Sequence, residues 1–405
     1  MRLALTLALT AVTPLGAQTI VIRGGTVFPV SRPKIENGTV VIINGRISAV
    51  GASVPTPAGA MVVDAAGKWV TPGLIHANAN AGTGVAGLGA FGEAAKDGDV
   101  NPSFNLAEGI DPAAFTIPIT RTGGVTSGIL EPNGQFLPGA AVAVDFAGDR
   151  ADQMIAKSPA AMVIDLSGNS RRAGGGSRAG ALARLRSLFA DALEYDRRRL
   201  EYRRGAMQPL AAPAAELEAL LPVLRGQLPV LVTANRRMDI ENALKLAGEY
   251  KLRMVLSGAV EGWEVAAMIA KAGVPVALEP NSDIPSFDGI GARLDNATLL
   301  REAGVKIIIA QGDPGGERNL RFAAGNAVRN GLTWDDALKA VTLWPAEAFG
   351  LADRYGSLDV GKVANVVIWS GDPLDFAASA EHVYIKGRET SLRTRENELR
   401  ERYRR

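Results

Sequence analysis

The feature that most constrains this chain is a recurrence in its middle. Short apolar runs return at residues 73–78, 125–130, 141–146, 161–166, 230–235, 254–258, 274–278 and 306–310. That makes about eight strand candidates, the number a closed parallel barrel needs. Helical patterns lie between several of them. Leu182, Leu185, Leu188, Phe189, Ala192 and Leu193 keep a 3.6-residue period, and residues 216–224, 240–250 and 265–272 do likewise. Thr333 with Asp336 reads as a capping pair, opening a helix through Ala337, Leu338 and Val341.

The two ends have a different texture. Residues 19–23 and 26–30 flank a predicted turn at Gly24-Gly25, and Asn44-Gly45 between 39–43 and 46–50 is a strong hairpin signal. The same style returns at 364–369 and 383–388. A short strand-rich segment cannot cover both of its faces alone. The economical expectation is that both ends pair into one small β unit with the barrel inserted in it. The expected limits are 18–70 and 353–390 for the β unit, 71–352 for the barrel and 391–405 for a basic tail. The loops 81–115 and 168–180 carry little pattern. The second is Gly-rich, but no Gly-Lys-Ser/Thr follows it, so it reads as an ordinary loop rather than a phosphate cradle.

Composition narrows the chemistry. Of 405 residues, 47% are apolar and 21% charged, which fits a globular chain with a sizeable core. There are 0 Cys and 2 His, His76 and His382. Disulfides and thiolate metal sites are therefore excluded, and so is any site needing three imidazoles. A net charge of +2 gives no global case for nucleic acid. Residues 1–17, a cationic start and an apolar run closed by Pro14-Leu15-Gly16-Ala17, read as a secretory signal cleaved after Ala17. Export to the periplasm is the expectation, and no later run is long and apolar enough to span a bilayer. From Lys386 to Arg405 eight Lys/Arg face four Asp/Glu, a balance of +4. A solvated terminal helix or a docking tail would both carry it.

Several phrases resemble the amidohydrolase superfamily, most nearly its imidazolonepropionase-like exported members. They are Ala66-Gly67-Lys68-Trp69-Val70-Thr71-Pro72-Gly73-Leu74-Ile75, then Gly331-Leu332-Thr333, Pro345-Ala346, Gly350-Leu351, Gly356-Ser357-Leu358, Gly361-Lys362 and Gly371-Asp372-Pro373. The resemblance covers nearly all of the chain after the signal. It implies an α/β fold, a distorted (β/α)8 TIM barrel inserted in a small β sandwich built from both ends, and hydrolysis of carbon–nitrogen bonds.

Carried over residue by residue, the resemblance implies that the usual metal ligands are gone. The His-X-His of the first barrel strand reads Asn78-Ala79-Asn80. The fifth-strand His falls on Thr233 and the sixth-strand His on Gly258. The acid of the eighth strand has a counterpart in Asp313. Asn offers a neutral carbonyl, a poor zinc ligand, and Gly offers no side chain. No cofactor is therefore expected. An all-oxygen replacement would want several carboxylates, for which Glu131, Glu279 and Asp313 are the candidates at strand ends. His76 is either a general base oriented by Asp313 or a hydrogen-bonded His filling a vacated acidic position. Ser257, Thr233 and Ser282 lie in no nucleophile-elbow sequence. Asn78, Asn80, Thr233 and Asn235 are expected to line a neutral barrel mouth suited to a small polar ligand. Two outcomes stay open, a degenerate non-metal hydrolase and an envelope binding or scaffolding protein. The oligomeric state is unspecified.

Overall fold

The computed structural model describes residues 19–83, 100–171, 176–280, 285–310 and 316–404. The segment 1–17 expected to be a signal, Asp313, Ser282 and parts of the loops at 84–99 and 172–175 lie outside them.

The amino-terminal strands are β1 (Thr19–Val27), β2 (Ile35–Ile43), β3 (Arg46–Gly51), β4 (Met61–Asp64) and β5 (Trp69–Pro72). β1 is one strand across the expected turn. Its register with β2 shifts on either side of Gly25, and Gly24 takes φ +83°. The glycine pair makes a bulge, which bends a strand without ending it. Asn44 and Gly45 take positive φ, 52° and 75°, as a tight hairpin between twisted strands requires.

The barrel strands are β6 (Leu74–Ala79), β7 (Val125–Leu130), β8 (Gly139–Asp145), β9 (Ile155–Asp165), β10 (Val230–Ala234), β11 (Met254–Gly258), β12 (Val276–Leu278) and β13 (Ile307–Ile309). They form one sheet in chain order. All eight expected strands are present, but β8 runs antiparallel to both β7 and β9. An apolar run carries no direction, and the connections on each side of β8 are too short for a helical crossover. Between β13 and β6 no ladder forms among the described residues; there the Ile75 N–H donates to the Val341 carbonyl (2.8 Å). The helices Arg178–Arg197, Ala214–Leu224, Arg237–Tyr250 and Leu320–Arg329 bury one apolar side each against the sheet. The Thr333 hydroxyl accepts from the Asp336 N–H (3.2 Å), capping Trp334–Ala340 as expected.

The chain then returns through β14 (Val366–Trp369), β15 (Ala380–Ile385) and β16 (Arg388–Glu389). β14 pairs antiparallel with β5, Val366 opposite Pro72 and Trp369 opposite Trp69. Both ends thus share one eight-stranded sheet, wrapped about its own core of Ile20, Ile22, Val40, Ile42, Val366 and Ile368. The helix Arg395–Tyr403 closes the chain and buries none of its residues.

Candidate functional site

Strand period decides which side chains enter the barrel. On β6, His76 and Asn78 share one face and Ile75, Ala77 and Ala79 the other. Asn78 lines a cavity of about 320 Å³ at the carboxyl ends of the barrel strands. Glu131 enters it directly after β7, Thr233 and Asn235 from the end of β10, Ser257 and Gly258 from β11, and Glu279 directly after β12. Apolar walls come from Val260, Leu278, Pro280 and Leu294. This end of a barrel is where loops and strand ends converge without disturbing the packed interior.

Of the residues singled out in the sequence, Asn78, Thr233, Asn235, Gly258, Glu131 and Glu279 therefore meet in one pocket. Asn80 is not among its lining residues. Its N–H donates to the Glu317 carboxylate (2.9 Å), and its carbonyl accepts from the Thr83 hydroxyl (2.9 Å). His76 is 0% exposed, and its Nδ1 accepts from the Asn78 N–H (3.2 Å). His382 pairs with Glu389 on the terminal sheet (2.6 Å). Trp263 packs at the rim, with the Arg293 guanidinium over its ring at 4.7 Å and its Nε1 on the Gly291 carbonyl (2.8 Å). Trp344 is buried elsewhere in the fold.

The electrostatics centre on Glu131. Burial, and secondarily the negative charge of Glu279, push its carboxyl up to about 8. In neutral solution it is a hydrogen-bond donor rather than an anion. Gly258 takes φ +81°, and the space a β-carbon would need there is occupied by the Asn235 Oδ1. Among the described residues no group of three or more His, Asp or Glu is arranged to hold a metal ion.

Sequence reasoning missed two neighbouring features. Glu317, 1% exposed, ties the loop after β6 to the start of the helix Leu320–Arg329; an acid just ahead of an apolar helical run was the available signal. Asp288 accepts from Arg178 (2.7 Å), from the Gly168 N–H (3.0 Å) and from the Asn235 Nδ2 (3.4 Å). Arg178 also pairs with Asp239 (2.9 Å). Asp288 sits on a loop without periodicity and Arg178 and Asp239 in the first turns of two separate helices, so nothing in the pattern placed them together.

Comparison with known proteins agrees with the architecture. Residues 181–390 match the profile described as "Amidohydrolase family". Amidohydrolase tasK of Hapsidospora irregularis is 25% identical over 86% of this chain, which spans 39% of that protein. An imidazolonepropionase of Acidiphilium cryptum is 26% identical over 84% of this chain and 89% of its own length. Among solved structures, an amidohydrolase of Thermotoga maritima superposes with a TM-score of 0.84 at 27% identity, covering 92% of this chain and all of that one.

Proposed function

The chain belongs to the amidohydrolase family, and from that premise we propose that its barrel mouth binds a small polar molecule without a metal, as a degenerate member of the family. The observation carrying this reading is the donor set of the pocket. The resemblance implies imidazoles where the chain has Asn78, Asn80, Thr233 and Gly258. The first offers an amide carbonyl, the second lies off the pocket, the third offers a hydroxyl and the fourth has no side chain. Neutral oxygen donors hold zinc poorly, and Glu131, protonated at neutral pH, would have to give up its proton before it could bind one. These residues do not fit the family's metal centre.

They do fit a small polar ligand with donors and acceptors. Asn78 and Asn235 offer both functions, Thr233 and Ser257 offer hydroxyls, and Glu131 offers a proton. The same reading keeps the barrel at 71–352 within a β unit of 18–70 and 353–390, with a tail at 391–405. It places the protein in the periplasm after removal of residues 1–17.

A second reading, hydrolysis of a carbon–nitrogen bond without a metal, is favoured by one observation. Burial and the nearby Glu279 hold Glu131 neutral, so a carboxyl able to give a proton stands beside a second carboxyl group, a pairing that acid–base hydrolysis uses. Elemental analysis of the purified protein, paired with turnover assays on amides and lactams, tests both. The binding reading expects no stoichiometric transition metal and no turnover. Stoichiometric zinc, iron or manganese with hydrolysis would overturn it. Turnover that persists in chelator and is lost in Glu131→Gln would favour the second reading.

A further inference from the structure

Glu131 is half-buried and lines the cavity, and its Oε1, itself shut off from solvent, has no hydrogen-bond partner among the described residues. A buried carboxyl oxygen left unmatched is destabilising until something donates to it. Glu279 brings a second carboxylate to the same cavity. Among the described residues of the lining the one cation, Arg293, is already engaged. It forms two hydrogen bonds to Asp295 (2.7 and 2.6 Å) and lies over Trp263.

We propose that this pocket takes a compact organic cation, a primary ammonium or guanidinium group on a short apolar stem, with Glu131 and Glu279 as its counter-ions. The proposal rests on the metal-free binding reading and names the ligand class. An ammonium or guanidinium brings several N–H donors, which the unmatched Glu131 oxygen lacks. The stem has Val260, Leu278, Pro280 and Leu294 to lie against. A cavity of about 320 Å³ holds a ligand of that size and little more. A hard divalent cation is disfavoured. It would want six or more oxygen ligands with several carboxylates, and much of this wall is hydrocarbon.

Protonation supplies the signature. Among the described residues, the charged groups that line the cavity with Glu131 are Glu279, whose charge acts on it directly, and Arg293, which is paired with Asp295. The lining positions of β10, β11 and β13 are uncharged. Since Glu131 holds its proton up to about pH 8, binding a cation displaces that proton. Apparent affinity then rises with pH, by up to about tenfold per unit, and levels above about pH 8.

Titration calorimetry with n-butylammonium and n-butylguanidinium, against the neutral n-butanol and n-butyramide, tests this from pH 6 to 9. Buffers of different ionisation enthalpy count the protons released. The expected result is saturable binding of a cation at least tenfold tighter than of n-butanol, with proton release below pH 8. Glu131→Gln should abolish the release and weaken binding about tenfold. Glu279→Gln should weaken binding while keeping the release, and it serves if the Glu131 variant fails to fold. Equal binding of n-butanol, or undiminished cation binding in a folded Glu131→Gln, overturns the proposal. Binding of n-butyramide alone would sink the cation class yet leave metal-free binding standing. Stoichiometric metal with turnover would remove both.

Discussion

The Asn235 carboxamide oxygen occupies the space that a β-carbon on Gly258 would need, so the two residues at the ends of β10 and β11 are sterically exclusive. Gly258 also has a left-handed backbone, φ +81°. Gly258→His should therefore lower stability by about 1–3 kcal/mol in urea unfolding. Adding Asn235→Gly should relieve the collision but leave the backbone strain. A double-mutant cycle should show a coupling above about 0.5 kcal/mol. Strictly additive losses would mean that no collision exists.

Glu131 links folding to pH. Its folded value, about 8, lies above the ordinary value of 4.5. Between those limits the folded chain holds a proton that the unfolded chain has lost. Stability is complete below about pH 4.5 and falls as pH rises through 8, by at most about 1.4 kcal/mol per unit. Glu131→Gln removes that slope. Urea midpoints from pH 4 to 9 should diverge, with the variant gaining on the parent toward pH 8; parallel profiles would contradict this.

Asp145 is 0% exposed on β8 and accepts from Ser127 (2.9 Å), Asn365 (2.8 Å) and Tyr355 (2.9 Å), with Lys386 at 3.1 Å. The cluster joins barrel to terminal sheet. Asp145→Ala strands several buried donors and should cost about 3–5 kcal/mol. A loss below 1 kcal/mol in chemical denaturation would show that the network is dispensable.

The segment carrying Phe287, 94% exposed, is held to the barrel mouth through Asp288. Asp288→Ala leaves Arg178 its bond to Asp239. The global cost should stay near 1–2 kcal/mol. Chymotrypsin should cut after Phe287 several-fold faster, and unchanged cleavage would mean that Asp288 holds nothing.

Much of this architecture is legible from the chain alone, for a physical reason. Apolar runs such as 230–234 and 254–258 are buried on both faces, so they stand out without any partner being known. Direction is another matter. The run at 139–145 reads the same either way, and only its short connections decide that β8 is antiparallel. The site divides likewise. Strand ends placed Asn78, Glu131, Thr233, Asn235, Gly258 and Glu279 together, because each lies within the last two residues of a barrel strand or directly follows one. Asn80 was misplaced because its backbone is claimed by Glu317, more than two hundred residues away. Asp288, on a loop, meets Arg178 at the start of a distant helix, a meeting that leaves no periodic trace.

The pairing of β5 with β14 sets a timetable for synthesis. Trp69 faces Trp369, about 300 residues later in the chain. At ~5–20 residues per second a ribosome needs roughly 15–60 s to deliver the partner strand. Throughout that interval the edge of β5 is an open template for any other extended chain. The nascent protein must keep its first sheet unfinished until nearly all of the barrel has emerged.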